Sequence, residues 1–333
     1  MTFRALVLDQ SDSESGDQPT ASVQELDDGA LPEADVTVAV EWSSLNYKDG
    51  MILGGIGRLV RTFPHVPGVD LAGTVEASGS DRFQPGDRVV CTGFYVGERW
   101  WGGYAERARV KSEWLVPVPE SLTTRQTMEI GTAGLTAMLC VDALERAGLT
   151  PDAGPVLCTG AAGGVGTYAV HLLARLGYKV TASTGRPEAA SYLRDLGASE
   201  VIDRAEIGDV PTKPLLSERW AGGIDAVGGA TLAHVLAEMR YGAPVAACGN
   251  TAGNDLPTSV LPFILRSVHL IGVDSVSVPV ESRTEQWRRL GELVDPALLR
   301  DATHVTGLDG LPEAGRQILA GQVRGRILVD PTH

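Results

Sequence analysis

One segment of the 333-residue chain combines a short apolar strand, a glycine-rich turn and an apolar helix. It reads Pro155-Val-Leu-Cys-Thr-Gly160-Ala-Ala-Gly163-Gly164-Val-Gly166, and a helical pattern continues to Leu176. Glycines let backbone N–H groups approach a pyrophosphate closely, and the N-terminus of a helix adds a favourable partial charge. Because a second strand is predicted at 179–183, the segment is typical of a dinucleotide-binding βαβ unit. The alternative is a turn with a purely structural role.

The end of that second strand indicates which dinucleotide binds. A site for NAD usually has an acidic residue about 20 residues after the glycine motif, bound to the ribose 2′-hydroxyl. Here the chain reads Ser183-Thr184-Gly185-Arg186, without an acid. Hydroxyls and a guanidinium suit a 2′-phosphate, which an acid would repel. We therefore predict NADPH as the cofactor, unless Arg186 only faces solvent. The predicted binding residues are Ala162, Gly163, Gly164, Val165, Thr184, Gly185 and Arg186.

The elements around this unit predict an α/β fold. Strands and helices alternate from Val156 to Val273, which is typical of a six-stranded, doubly wound parallel sheet. The first third is rich in short strands and turns instead, and Ser11–Gly16 is expected to be an exposed loop. The tail predicts two helices and a last strand at Gly325–Val329. The expected domains are residues 1–124, a Rossmann domain at 125–276, and a return to the first domain at 277–333.

Composition excludes several classes of protein. A net charge of −14 argues against nucleic acid as a partner, because its phosphates need a basic surface. The four cysteines form no CxxC and no metal-ligand spacing, so no metal is expected. The uncharged stretch Ala153–Ala174 contains five glycines, Pro155 and His171, which makes a membrane span a poor interpretation. The start of the chain does not have the pattern of a signal peptide, so we expect a cytoplasmic protein.

Four segments of the first domain resemble the medium-chain dehydrogenase/reductase superfamily. They are Asn46-Tyr47-Lys48-Asp49, 63–73, 85–89 and Gly102-Gly-Tyr-Ala-Glu106. The resemblance implies a GroES-like β-rich catalytic domain followed by the Rossmann domain. The zinc branch of this family binds its catalytic metal with two cysteines and a histidine. Here Asn46 and Val69 stand at the places of a cysteine and the histidine, which implies metal-free hydride transfer to a carbon–carbon double bond or a quinone.

Further segments are similar to the acryloyl-CoA reductase and quinone oxidoreductase group of the zinc-free branch. They are 45–50, 159–166, Val245-Ala-Ala-Cys-Gly249, 261–266, 271–275 and Val323-Arg-Gly-Arg326. The resemblance implies NADPH-dependent reduction of acryloyl-CoA, an acyl-CoA substrate, to propanoyl-CoA. It also implies a cytoplasmic homodimer that pairs the last Rossmann strand near Val268–Val273. The alternatives are a quinone or general enone reductase and, in another class, an NADPH-binding sensor without turnover.

The same resemblance assigns roles to residues outside the glycine-rich turn. Tyr47 and Asn46 would face the nicotinamide, Tyr47 as a hydroxyl donor and Asn46 as a donor to the thioester carbonyl; a turn with local backbone bonds is the alternative. Arg324, ahead of the last strand, is a candidate because of its charge rather than the resemblance: in an acidic protein its guanidinium would meet a phosphate of CoA or NADPH, or else would face solvent. The nicotinamide half of the cofactor would contact Asn250, Ile264 and Ser275, which follow or link the last two Rossmann strands.

Overall fold

The computed structural model describes residues 1–10, 19–295 and 303–333. The predicted loop Ser11–Gly16 lies outside these residues. The chain divides into two compact units, which we call the β-rich unit (Met1–Thr132 and Val276–His333) and the parallel-sheet unit (Ala133–Ser275). The first division therefore falls at Thr132 rather than at residue 124. It falls later because Glu129 and Thr132 bond to residues of the β-rich unit.

Two sheets contain the strands of the β-rich unit, and their strands pair antiparallel except for the last two of the chain, which pair in parallel. The smaller sheet pairs β1 (Thr2–Asp9) with β2 (Thr20–Asp27). In the larger sheet the order is β14-β15-β3-β4-β5-β7, and β6 pairs with β3. Its strands are β3 (Val36–Leu45), β4 (Asp70–Ser78), β5 (Arg88–Thr92), β6 (Arg107–Val110), β7 (Val116–Pro117), β14 (Thr303–Thr306) and β15 (Arg326–Val329). Strand β15 runs antiparallel to β3, so the C-terminal segment belongs to the same sheet as the first domain.

Alternating side chains of β3 build the core of this sheet. Val36, Val38 and Val40 point into one buried cluster, together with Leu71 of β4 and Val89 of β5. Alternation of this kind is expected for a strand with one face on a core. The helices of the unit are α1 (Tyr47–Leu53), α7 (Val280–Leu293) and α8 (Leu311–Leu319).

The parallel-sheet unit has the fold that the sequence predicts. Its six strands are all parallel, in the order β10-β9-β8-β11-β12-β13, which is the order of a doubly wound dinucleotide-binding sheet. They are β8 (Pro155–Cys158), β9 (Lys179–Thr184), β10 (Glu200–Asp203), β11 (Gly222–Asp225), β12 (Pro244–Ala247) and β13 (His269–Gly272). Helices α3 (Gly164–Arg175), α4 (Ala190–Asp195), α5 (Gly229–Ala237) and α6 (Leu261–Arg266) connect them. The predicted α/β fold class is confirmed.

Helix α2 (Thr124–Arg146) contains an interruption at Gly131, whose φ of 53° and ψ of −160° are not helical. The sequence pattern predicts one helix from Thr123 or Thr124 towards Ile130 and a second one from Leu135 to Ala147, and the interruption at Gly131 explains this division. Among the described residues, α2 is the one helix long and apolar enough to cross a membrane. Its most apolar window is 83% buried inside the protein, as is common for core helices.

Candidate active site

The glycine-rich turn lies at the carboxyl end of β8, where the chain enters α3. Gly160 has a φ of 59°, a left-handed conformation that favours glycine. A side chain at Gly166 would collide with the carbonyl oxygen of Gly160, so the helix approaches the turn only with glycine here. The predicted residues 162–165 lie together at the N-terminus of α3. This cradle of backbone N–H groups fits a pyrophosphate.

The end of β9 lies beside the glycine-rich turn, because the N–H of Ala161 donates to the carbonyl oxygen of Ser183 (3.0 Å). Thr184 accepts the N–H of Arg186 through its hydroxyl (3.1 Å). A side chain at Gly185 would collide with the guanidinium of Arg204, an exposed residue directly after β10. Two arginines therefore follow neighbouring strands at this edge of the sheet, a cationic setting that suits a 2′-phosphate. Arg204 was not among the residues predicted from the sequence, although its place after the third predicted strand was a usable signal.

An open cavity of about 620 Å³ lies at the carboxyl ends of β12 and β13. We call it the strand-end cavity. Its lining residues are Ala247, Cys248, Gly249, Asn250, Gly272, Val273 and Asp274. Of the three residues predicted for the nicotinamide half, Asn250 lines this cavity and Ser275 directly follows its last lining residue. Ile264 lies on α6 with 67% of its surface exposed and is not among the lining residues.

In the β-rich unit, Asn46 and Tyr47 stand at the start of α1. The carboxylate of Asp49 accepts the backbone N–H of Asn46 (2.8 Å), which anchors the first turn of the helix. Tyr47 is 40% exposed, whereas Asn46 is only 9% exposed. The two neighbouring side chains therefore differ in surroundings: the phenol is accessible from outside the unit, and the amide belongs to its interior.

A buried polar network holds the amide of Asn46. Its Nδ2 donates to Asp70 (2.8 Å), and its Oδ1 accepts a hydrogen bond from the Nη1 of Arg326 (3.0 Å). Asp70 also accepts hydrogen bonds from the Ser44 hydroxyl (2.6 Å) and from the backbone and side chain of Thr132 (2.8 and 2.5 Å). An asparagine amide has two N–H donors and one oxygen. In these hydrogen bonds Asn46 thus uses one lone pair of its oxygen and one of its two N–H groups.

Gly131 allows α2 to approach this network. A Cβ at this position would lie 2.7 Å from the carboxylate of Asp70, and the positive φ disfavours other residues. Arg326 is 4% exposed and also donates from Nε to the carbonyl oxygen of Glu129 (3.0 Å). Arg324, the predicted site residue, is exposed and lies two residues before Arg326. Asp70 and Arg326 were not among the predicted site residues, although both lie in segments that resemble the family.

Asp49 connects, through hydrogen bonds, the two segments in which the zinc branch has its metal ligands. Its carboxylate accepts the backbone N–H groups of Asn46 and of Val69 (3.0 Å). Burial, with a smaller contribution from the charge of Asp70, raises the pKa of Asp49 to about 7. The amide of Asn46 is engaged with Asp70 and Arg326, and Val69 offers no ligand atom, so these residues do not fit a zinc ion. Within residues 1–10, 19–295 and 303–333, no group of three His, Cys, Asp or Glu side chains could hold a metal.

Two family models match the chain. Residues 32–120 match the alcohol dehydrogenase GroES-like domain, and residues 164–295 match the zinc-binding dehydrogenase domain. The second description refers to zinc, but the donor atoms present here do not fit that metal, as shown above.

Full-length relatives agree with these matches. The chain is 54% identical over 332 residues to acrylyl-CoA reductase AcuI of Ruegeria pomeroyi, covering 98% of this chain and 99% of AcuI. It is similar to the yhdH oxidoreductase of Salmonella enterica in complex with NADP (TM-score 0.94, 50% identity, 98% and 99% of the two chains). It is also similar to protein yhfP of Bacillus subtilis with NAD bound (TM-score 0.94, 41% identity, 99% of each chain). The chain therefore belongs to the medium-chain dehydrogenase/reductase family, in its zinc-free group.

Proposed function

We propose that this protein reduces the carbon–carbon double bond of acryloyl-CoA to give propanoyl-CoA, with NADPH as the reductant. The observation that carries the substrate is the 54% identity to an acrylyl-CoA reductase over almost the whole chain. The buried network around Asn46 supports the reaction type, because it presents a hydrogen-bond donor in place of a metal.

Reduction of an enoyl thioester has three requirements. The β-carbon accepts a hydride, the thioester carbonyl oxygen gains negative charge, and the α-carbon then takes a proton. Bound NADPH supplies the hydride. Stabilisation of the developing charge on oxygen is usually the largest contribution of the protein, and one such donor is worth about 10²–10³ in rate.

The remaining N–H of Asn46 is suited to that donor role. Arg326 donates to the amide oxygen of Asn46, and this polarises the amide so that its N–H becomes a stronger donor. Asp70 accepts the other N–H and thereby holds the amide in one orientation. A donor that is held before the substrate arrives does not have to reorganise during the reaction. We assign the thioester carbonyl to this N–H.

We assign the cofactor to the parallel-sheet unit. The turn at residues 162–165 would bind the pyrophosphate, and Thr184, Gly185 and Arg186 would bind the 2′-phosphate together with Arg204. Asn250, Ile264 and Ser275 remain the candidates for the nicotinamide half, with the strongest support for Asn250 because it lines the strand-end cavity. Tyr47 would donate its hydroxyl to substrate or cofactor, and Arg324 would meet a phosphate.

The edge of the parallel sheet supports the homodimer. Strand β13 ends the sheet, and no strand pairs with its outer side among the described residues. Val260, Ile264 and Leu265, beside it in sequence, are 58–67% exposed. Unpaired edges and exposed apolar groups both favour association. A second copy that pairs its own β13 with this strand would cover the unpaired edge and the exposed apolar side chains. We assign this homodimer to the cytoplasm.

Steady-state oxidation of NADPH with acryloyl-CoA, crotonyl-CoA and a small quinone tests the proposal. We expect the highest kcat/KM for acryloyl-CoA. A quinone that exceeds acryloyl-CoA by orders of magnitude in kcat/KM would assign the protein to quinone reduction instead. Tight binding of NADPH without oxidation by any acceptor would indicate a sensor.

A further inference from the structure

A fully buried carboxylate lies at the carboxyl ends of the strands in the parallel-sheet unit. Asp225 is the last residue of β11, the strand between β8 and β12, and 0% of its surface is exposed. Burial raises the pKa of Asp225 above its ordinary value, because the charged form loses its hydration. No cationic side chain in the described part of the chain forms an ion pair with this carboxylate. Hydrogen bonds therefore have to compensate its burial.

One oxygen of this carboxylate binds the residue that precedes the glycine-rich turn. The hydroxyl of Thr159 donates to Oδ1 of Asp225 (2.6 Å). The same hydroxyl accepts the backbone N–H of Ala226 (3.1 Å), and the backbone N–H of Thr159 donates to the carbonyl oxygen of Ile224 (3.0 Å). Thr159 is only 2% exposed. Since the glycine-rich turn begins at the next residue, these hydrogen bonds fix the start of the turn against β11.

The other oxygen of the carboxylate binds the turn that follows β11. The backbone N–H of Gly228 donates to Oδ2 of Asp225 (2.7 Å), and the φ of 75° at Gly228 favours glycine. In the same turn, the carbonyl oxygen of Val227 accepts the backbone N–H of Ala252 (2.9 Å). The turn after β11 therefore supports the segment that follows β12, in which Asn250 lines the strand-end cavity.

We propose that Asp225 is a positioning residue for the cofactor, which holds the glycine-rich turn and the wall of the strand-end cavity in place relative to each other. Each of its two oxygens binds one of these two parts. The inference rests on the proposed function in one respect, the assignment of the pyrophosphate to the turn and of the nicotinamide half to Asn250. A dinucleotide that spans both parts binds more tightly when they are ordered beforehand, because binding then costs less conformational entropy.

Thr159→Val tests the proposal, because it removes the hydroxyl that donates to Asp225 and nearly keeps the shape of the side chain. Fluorescence titration of the folded variant should give about tenfold higher Kd values for NADPH and for NADH, since a hydrogen bond to a charged group contributes at least that factor to an equilibrium. Both nucleotides should be affected alike, because they share the pyrophosphate and the nicotinamide. Thr159→Ser keeps the hydroxyl and should restore both Kd values.

Thr181→Val is the matched control. Thr181 is also a fully buried residue of the parallel-sheet unit, and its hydroxyl also donates to a carboxylate, that of Glu200 (3.2 Å). It lies within β9 and not at the carboxyl end of that strand. This variant should be less stable to urea but should bind both nucleotides with the Kd values of the wild type.

Asp225→Asn is a second test, because it replaces one acceptor of the carboxylate by a donor. It should raise both Kd values at least as far as Thr159→Val does; if it does not fold, Thr159→Val decides.

Three results would overturn the proposal. The first is a folded Thr159→Val variant with the Kd values of the wild type, which would leave Asp225 a purely structural role. The second is a higher Kd for NADPH alone, which would indicate the 2′-phosphate instead of the parts that both nucleotides share. The third is equal weakening by Thr181→Val, which would indicate a general loss of stability. None of these titrations contains an acyl-CoA or a quinone, so a failure of the proposed reduction would leave their outcome unchanged.

Discussion

The guanidinium of Arg326 lies 3.0 Å from the side-chain oxygen of Asn46, although 280 residues separate the two in the chain. This contact decides what Asn46 can do. Its oxygen already accepts a hydrogen bond from a cation, so the amide favours a ligand that accepts a hydrogen bond from its N–H. The charge of Arg326 is partly balanced by Asp70, whose carboxylate lies 3.9 Å from it. A buried cation and a buried carboxylate thus hold one neutral donor between them.

Asn46→Ala should lower kcat for acryloyl-CoA by about 10²–10³, because one hydrogen bond to the developing negative charge is lost. The affinity for NADPH, measured by fluorescence titration, should be unchanged. Ser43→Ala is the matched control, since the Ser43 hydroxyl is also buried and donates to the backbone oxygen of Asp70 rather than to Asn46. An Asn46→Ala enzyme with wild-type kcat would remove Asn46 from the mechanism.

Arg326→Gln should destabilise the protein by about 3–5 kcal/mol, because it leaves the carboxylate of Asp70 buried without its counter-charge. Urea unfolding measures this loss of free energy. The double variant Arg326→Gln with Asp70→Asn removes both charges and should recover part of it. If the double variant is less stable than the sum of the two single variants predicts, the two charges do not interact as described.

Tyr47→Phe should lower turnover more than stability. The phenol is 40% exposed, so removing its hydroxyl should cost less than about 0.5 kcal/mol in unfolding free energy. Turnover should fall because the hydroxyl is the proposed donor to substrate or cofactor. Thermal melts and initial rates on the same preparation compare the two effects, and wild-type turnover would exclude Tyr47 as a donor.

Arg186→Ala and Arg204→Ala should each raise KM for NADPH about tenfold or more, since a charged contact with a phosphate contributes about 1.5–3 kcal/mol. KM for NADH should hardly change, because NADH lacks the 2′-phosphate. Arg194→Ala, an exposed arginine on α4, is the control for a general loss of positive charge. Equal effects of a variant on both nucleotides would contradict the assignment of that arginine.

The stability of the protein should depend on the ionisation of Asp49. Its pKa rises from 3.8 to about 7 on folding, so the native state binds this proton more tightly than the unfolded state does. The contribution of Asp49 to stability is therefore greatest below pH 3.8 and falls as the pH rises to about 7. In Asp49→Asn this fall should be absent. Plots of unfolding free energy against pH should differ in slope between the two proteins across that range. Parallel plots would contradict the raised pKa of Asp49.

Ile264→Asp should shift the protein from dimer to monomer, because it places a charge on the exposed apolar surface beside β13. Light scattering at several concentrations measures the mass. Val305→Asp, an exposed apolar residue of the β-rich unit, is the control and should leave the dimer intact. A monomeric wild-type protein, or a dimeric Ile264→Asp variant, would argue against this interface.

The sequence by itself determined the features that depend on local spacing. The strand, turn and helix around Gly163 predict a dinucleotide fold because a βαβ unit is continuous in the chain. The absence of an acid from residues 183–186 and of zinc ligands at Asn46 and Val69 is also visible in the sequence. Side-chain alternation and turn residues were enough to predict a β-rich first part, although not the order of its strands.

Only the tertiary structure decided which distant residues meet. Strand β15 returns beside β3 and brings Arg326 to Asn46, β10 places Arg204 beside Gly185, and α2 brings Thr132 to Asp70. These contacts depend on the order of strands in the sheets and on the path of a helix. Local propensities encode neither the strand order nor the path of the helix, because the free energy that selects both comes from burial of the whole core.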